Sequence, residues 1–309
     1  MRILITGANG QVGHELLRAL AGPAREPEII PATRSGVLED GTPCQSLELA
    51  DFDALTKTLD RIAPDIIINA AAYTAVDRAE DEVELAHRIN GVAPGVLGAW
   101  AERHAARVVH YSTDYVFDGT ATCAYREDDA THPVSAYGRS KLAGEIALRE
   151  SGVRHLVFRT AWVYAARGRN FLRTMLRVGA EHDTLRVVDD QIGAPTPARL
   201  IADATAHIVT QWCLDETPKR DGIYHLVASG QTSWCGFARA IFEHAQNTGL
   251  IEPAPTVQAI RTDEYPTRAV RPAWSVLDTA KLRETFDVTL PDWRAGLDGV
   301  VQQVANAHS

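Results

Sequence analysis

The chain has 309 residues, 45% of them hydrophobic and 23% charged, with a formal net charge of -9. These values fit a globular enzyme with ample material for a buried core. They argue against general binding to nucleic acid or to an anionic membrane, although a local set of arginines could still hold an anionic substrate. Arg2 is followed only by Ile3-Leu4-Ile5 before a glycine-rich turn, so no signal peptide is expected. No run reaches the roughly 20 apolar residues of a membrane span. Cys44, Cys123, Cys213 and Cys235 lack metal-ligand spacing and read as reduced thiols of a cytoplasmic protein.

In chain order, Arg2 to Thr6 predicts a short strand, and Gly10 to Leu20 has helical spacing at Val12, Leu16, Leu17 and Leu20. Ile29-Ile30 belongs to a second strand. Phe52 to Ile62 predicts a helix capped by Asp51 and stopped by Pro64. Asp65 to Asn69 reads as a buried strand, about Glu82 to His104 as a long helix, and Arg107 to Ser112 as a strand. Ser135 to Arg149 then reads as a helix and His155 to Thr160 as a strand. Strands alternating with helices imply a doubly wound parallel sheet of Rossmann type, with ligands beyond the C-terminal strand ends.

The second half is less regular. Helices are expected over Asn170 to Ala180, Pro197 to Trp212 (with Pro197 in the first turn) and Ser233 to Gln246. Strands are expected at Leu185 to Val188 and Gly222 to Val227, and Pro253 to Pro272 reads largely as loop. A dinucleotide-binding domain is therefore expected over 1–165 plus about 197–230. A smaller mixed α/β substrate domain is expected over about 166–196 plus 231–309.

The first strand runs into Gly7-Ala8-Asn9-Gly10-Gln11-Val12-Gly13, a G-x-x-G-x-x-G turn opening a helix. Glycines allow a tight turn and close approach to a pyrophosphate, and the helix start offers free N–H groups. Dinucleotide binding by Gly7, Asn9, Gly10, Gln11, Val12 and Gly13 follows. After the second strand, Arg34 and Ser35 suit a 2′-phosphate, favouring NADPH with NADH still open. Asp51 comes too late for the ribose and is a candidate for the adenine ring.

Tyr137-Gly138-Arg139-Ser140-Lys141 is Y-x-x-x-K, which places Lys141 one helical turn from Tyr137. A nearby ammonium lowers a phenol's pKa from about 10. Tyr137 would then act as general acid to a carbonyl oxygen receiving hydride. Thr113, at the end of the preceding strand, could place a hydroxyl beside the same carbonyl, and Lys141 could also orient the nicotinamide ribose.

These residues resemble the extended short-chain dehydrogenase/reductase superfamily and, within it, the dTDP-4-dehydrorhamnose reductase family. The resemblance covers nearly the whole chain. Besides the glycine turn and the Y-x-x-x-K helix, it rests on Asn69-Ala70-Ala71-Ala72-Tyr73-Thr74-Ala75-Val76-Asp77 and on Ser112-Thr113-Asp114-Tyr115-Val116-Phe117-Asp118-Gly119. Asp190-Gln191-Ile192-Gly193-Ala194-Pro195-Thr196 adds a third segment. It implies reduction of the C4 keto group of a dTDP-linked 6-deoxy sugar, with Tyr137 as acid, Lys141 orienting cofactor and tyrosine, and Thr113 on the substrate. It also implies Ala70, Ala71 and Ala72 along the cofactor, and Tyr115, Trp162 and Arg271 on the nucleotide sugar.

Some family members pair Glu15 with a second glutamate in a magnesium site at a dimer interface. Here Arg199 stands at the second place, and arginine is no ligand for a hard cation. Mg2+ is accordingly not expected, and Glu15 is a weak metal candidate. In a homodimer, Glu15 and Arg199 could instead pair between subunits. Other readings are another nucleotide-sugar reductase or epimerase, a dehydratase (which usually needs an acidic pair where Asp114 is followed by Tyr115) and a non-catalytic regulatory subunit that binds NADP.

Overall fold

The computed structural model describes residues 1–21, 27–215 and 217–307. The first half runs β1 (Arg2–Thr6), α1 (Gln11–Ala19), β2 (Glu28–Thr33), β3 (Gln45–Ser46), α2 (Phe52–Ile62), β4 (Ile66–Asn69) and α3 (Val83–His87). A π-helical turn (Arg88–Val92), α4 (Ala93–Arg103), β5 (Arg107–Thr113), α5 (Ala136–Glu150) and β6 (His155–Thr160) follow. Local chemistry explains the helix starts. The Asp51 carboxylate accepts from Ala54 N at 3.0 Å, and Ser135 Oγ accepts from Gly138 N at 3.1 Å. The long helix expected over 82–104 is interrupted by the π turn, which carries the buried Asn90.

The second half adds β7 (Val163–Tyr164), α6 (Phe171–Gly179), β8 (Thr184–Val188), β9 (Ile192–Gly193), β10 (Thr196–Pro197), α7 (Ala198–Cys213) and β11 (Gly222–His225). It ends with β12 (Thr232–Ser233), α8 (Trp234–Asn247), β13 (Thr256–Ile260), α9 (Ala280–Phe286) and α10 (Trp293–Asn306). Three features depart from the sequence reading. Pro197 precedes the first helical turn in an extended conformation, with ψ 132°. The proline-rich stretch contains β13, which pairs in parallel with β8 from Thr256↔Thr184 to Ile260↔Val188. Its partner lies about seventy positions upstream, so local pattern does not reveal it. The helices α9 and α10 were not anticipated.

Seven strands form one parallel sheet in the order β11-β6-β5-β4-β1-β2-β3. The chain winds outward from β1 to β3, then returns to place β4 on the other side of β1. The β1/β4 boundary is therefore the topological switch point where such sheets take ligands. Alternating side chains fill both faces. Ile3, Ile5, Ile66 and Ile68 pack in a core with Ile201, Trp212, Leu282 and Phe286 of α7 and α9, whereas Leu4 and Ile67 join Leu55, Leu97 and Trp100 of α2 and α4. A separate core gathers Leu172, Phe237, Ile241, Trp293, Leu297 and Val301 from α6, α8 and α10. Thus α9, from the C-terminal part of the chain, packs on the larger sheet. Among the described residues, no helix is long and apolar enough to cross a membrane.

Candidate active site

The turn after β1 meets the end of β4 very closely. Gly7 has φ +68°, and a Cβ there would stand 2.7 Å from Ala71 N; a Cβ on Gly13 would stand 2.1 Å from Gly7 O. Both positions require glycine for backbone proximity. Gly10 supplies no side-chain cap to α1, so the first-turn N–H groups around Gln11, Val12 and Gly13 are available to an anion. The half-buried Ala70, Ala71 and Ala72 flank the same turn. A dinucleotide fits this cradle.

The other cofactor candidates divide. Asn9 ties the turn to the loop after β2, donating to Val37 O at 2.9 Å and accepting from Glu39 N at 3.0 Å. Gln11 accepts from Asn170 Nδ2 at 2.8 Å. Arg34 is exposed beyond β2, and its guanidinium makes no ion pair among the described residues. Ser35 Oγ donates to Val37 O at 3.2 Å. The Asp51 carboxylate is committed to capping α2.

The catalytic candidates converge at the ends of β5 and α5. The chain turns through Asp114–Val116, and a Cβ on Gly138 would stand 2.2 Å from Tyr115 O. Glycine at 138 therefore lets the first turn of α5 press onto that segment and brings the Tyr115 and Tyr137 rings edge to face at 5.9 Å. Thr113 Oγ1 donates to Asp114 Oδ1 at 2.8 Å. Asp114 is 2% exposed, and its Oδ2 has no partner among the described residues. Burial pushes the Asp114 carboxyl up to about 6.

Lys141 departs from expectation. Its ammonium donates to Tyr111 O at 2.6 Å and lies 3.2 Å from His110 Nε2, beneath the strand ends. Burial lowers it to about 8. The Tyr137 phenol is not depressed, as the spacing suggested. Burial, followed by the Asp114 carboxylate, pushes it up to about 12, while Thr113 acts in the opposite direction. The helix face is shared, but the lysine's long stem carries its charge to the strand carbonyl instead. A buried ion pair fixes α5 in place: Arg159 Nη2 donates to Glu145 Oε2 at 2.7 Å, and Ser112 Oγ donates to Glu145 Oε1.

Among the substrate candidates, Tyr115 is placed beside Tyr137, and its phenol is raised by burial. Arg271 Nη2 pairs with Asp77 Oδ2 at 2.7 Å, fastening the 268–271 segment to the loop after β4. Trp162 adopts φ +47° and stacks on Trp234 at 3.5 Å between centroids. Such a strained conformation needs tight surroundings. Glu15 and Arg199 pair within one chain, Arg199 Nη1 lying 3.7 Å from Glu15 Oε2. Packing of α7 on α1 brings the two together within the chain. No cluster suited to a metal ion occurs among the described residues.

The sequence reading missed Asn69, Asn90 and His110. Asn90 bonds Tyr73 N at 2.8 Å, Tyr73 O at 2.9 Å and Ser140 Oγ at 3.0 Å. Asn69 ends the apolar run of β4 and His110 interrupts β5 between Val109 and Tyr111, and a polar residue in such a run is a signal in itself.

The family model described as the RmlD substrate binding domain matches residues 1–306. A dTDP-4-dehydrorhamnose reductase of Burkholderia thailandensis is 46% identical over 298 residues, covering 95% of this chain and 96% of that protein. The chain belongs to the dTDP-4-dehydrorhamnose reductase family. Among solved structures, the reductase of Clostridium acetobutylicum has a TM-score of 0.87 at 36% identity, covering 98% of this chain and 99% of that one. That of Bacillus anthracis, in complex with NADP, has a TM-score of 0.84 at 32% identity, with the same coverage. The protein is accordingly an oxidoreductase with a nicotinamide cofactor.

Proposed function

We propose that the protein reduces the 4-keto group of dTDP-4-dehydro-L-rhamnose to the alcohol of dTDP-L-rhamnose, with NADPH as preferred donor and NADH as a lesser one. The observation that carries this reading is the convergence of Thr113, Tyr115 and Tyr137 beside a turn whose glycines leave room for a dinucleotide at the switch point. When bound, the dinucleotide supplies the hydride.

The chain's own residues do the rest. The Tyr137 phenol gives its proton to the C4 oxygen as that oxygen gains charge, and its raised pKa keeps it loaded as an acid across neutral pH. Thr113 orients the same oxygen once its hydroxyl turns from Asp114. Lys141 orients the cofactor from beneath the strand ends. Tyr115 and Trp162 provide faces for the sugar, and Arg271, next to Tyr115, is placed for a phosphate if Asp77 releases it. The single acidic residue Asp114, followed by Tyr115, favours simple reduction over dehydration. The four separate thiols support a cytoplasmic setting.

The test is NADPH consumption with dTDP-4-dehydro-L-rhamnose, run beside Tyr137→Phe. Formation of dTDP-L-rhamnose, with kcat lower by about 10²–10⁴ in the variant, supports the reading. No turnover by protein that still binds NADPH overturns the substrate assignment.

A further inference from the structure

Beneath the crevice, four buried polar side chains from β1, β4, β5 and α5 form an unbroken chain. Ala71 N donates to Thr6 Oγ1 at 3.2 Å, and Thr6 Oγ1 donates to Asn69 Oδ1 at 2.6 Å. Asn69 Nδ2 lies 3.1 Å from His110 Nδ1, and His110 Nε2 lies 3.2 Å from Lys141 Nζ, which also donates to Tyr111 O. Thr6, Asn69, His110 and Lys141 are each at most 2% exposed. Bulk solvent does not reach these groups, and their hydrogens must balance along the chain of bonds.

We propose that Thr6, Asn69, His110 and Lys141 form a relay that links the protonation state of Lys141 to the dinucleotide-binding turn, with His110 as a positioning residue of the reaction. The proposal rests on reading Lys141 as the residue that orients the cofactor.

Thr6 has one hydroxyl hydrogen. It accepts from Ala71 N, so its own hydrogen goes to Asn69 Oδ1, and Asn69 must present its amide N–H to His110 Nδ1. That nitrogen then carries a lone pair. A neutral imidazole of this kind bears its hydrogen on Nε2, facing Lys141. An amine at Lys141 accepts that hydrogen and still donates to Tyr111 O, and every group is satisfied. An ammonium has no lone pair. It requires an accepting Nε2, a hydrogen on Nδ1, and an Asn69 amide turned to offer Oδ1. Thr6 Oγ1 then faces the Asn69 amide N–H and loses the acceptor for its own hydrogen. Charging Lys141 is thus tied to rotation of an amide beside Ala71, a residue that borders the crevice.

Other titratable groups act on the pair from neighbouring elements. Glu145 on α5 favours the ammonium, and His155 on β6 disfavours charge on His110. The Tyr111 phenol is turned away to Thr205 Oγ1 at 2.8 Å.

The sequence has only four lysines, Lys57, Lys141, Lys219 and Lys281. Carbon-13 labelling of lysine Cε therefore gives few NMR signals, and Lys141→Met assigns the one of interest. Asn69→Asp presents only acceptors to His110 and so selects the accepting Nε2. The proposal expects the Lys141 midpoint to rise by about one pH unit or more, with the corresponding limb of the kcat/KM profile moving with it. It expects most of that rise to vanish when His110→Leu is added. A full shift in the His110→Leu background would be direct attraction by the new carboxylate, and would overturn the relay, as would no shift in Asn69→Asp. If His110→Leu does not fold, His110→Gln replaces it, with the rise again expected to shrink. Lys141→Met separates the two readings. Wild-type kcat in Lys141→Met removes the catalytic reading, whereas an unlinked titration with an inactive Lys141→Met removes only the relay.

Discussion

Arg199 Nη1 lies 3.7 Å from Glu15 Oε2 within one chain, so the start of α7 reaches a carboxylate that is 5% exposed on α1. Arg18 Nη1 also lies near that oxygen, at 3.5 Å, and Arg167 acts on the same carboxylate. Arg199→Glu reverses a charge beside a buried carboxylate. The expected result is a loss of about 1–3 kcal/mol of stability, seen as a lower Tm. Magnesium is expected to leave the wild-type Tm unchanged and to recover part of the loss in the variant, which thermal melts with and without the ion will check.

Lys141 sets function against stability. Burial lowers its ammonium from 10.5 to about 8, so the folded chain binds this proton more weakly than the unfolded chain. The resulting cost is fully present below about pH 8 and disappears as pH rises through 10.5. Lys141→Met should therefore raise the Tm near neutral pH, and this advantage should shrink towards pH 10 or so. Its kcat/KM should fall by about 10²–10⁴. Paired melts and steady-state kinetics measure both effects.

Asp114 has the opposite proton balance. Burial raises its carboxyl from 3.8 to about 6, so the folded chain holds this proton more tightly than the unfolded chain. The stability gained through it is fully present below 3.8 and is lost as pH rises through about 6. Asp114→Asn removes that loss. It is expected to be more stable than wild type at about pH 8, by at most about 3 kcal/mol, and similar to wild type near pH 4. Denaturant unfolding of both proteins at the two pH values gives the comparison.

Two glycines should respond in opposite directions. A Cβ on Gly13 meets Gly7 O at 2.1 Å, whereas one on Gly299, in α10, meets nothing within 4 Å. Gly13→Ala should cost about 1–3 kcal/mol and weaken NADPH binding at least tenfold. Gly299→Ala should stabilise by about 0.5–1 kcal/mol without changing affinity. Calorimetric titration with NADPH and thermal melts distinguish the two.

Arg34 is exposed at the end of β2 and makes no ion pair there among the described residues. If it meets the 2′-phosphate, Arg34→Ala should raise KM for NADPH about tenfold, the value of a charged hydrogen bond of roughly 1.5 kcal/mol. It should leave KM for NADH unchanged. Equal effects on both cofactors would remove Arg34 from that role.

Much of the framework was readable because its signals are local. The Gly7–Gly13 spacing, the Asp51 cap and the turn-apart placement of Tyr137 and Lys141 each lie within a few residues, the reach of one helical turn or one strand end. Strand β13 was hidden because five residues between prolines become a strand only when β8 lies beside them. Asn69 and His110 gave a weaker trace, as polar residues in apolar strands. Their partners lie 41 and 31 positions apart along the relay, beyond what periodicity records.

By itself, then, the sequence determined the alternation of strand and helix, the glycine turn and the tyrosine–lysine helix, because backbone hydrogen bonding and face-by-face burial leave a period in the residue order. Tertiary structure alone decided where buried polar groups found partners. It sent Lys141 to Tyr111 and His110, Arg271 to Asp77, Arg199 to Glu15 within the chain, and Trp162 onto Trp234. Those choices depend on which strands and helices become neighbours, and the order of strands in the sheet is a long-range outcome of packing both of its faces.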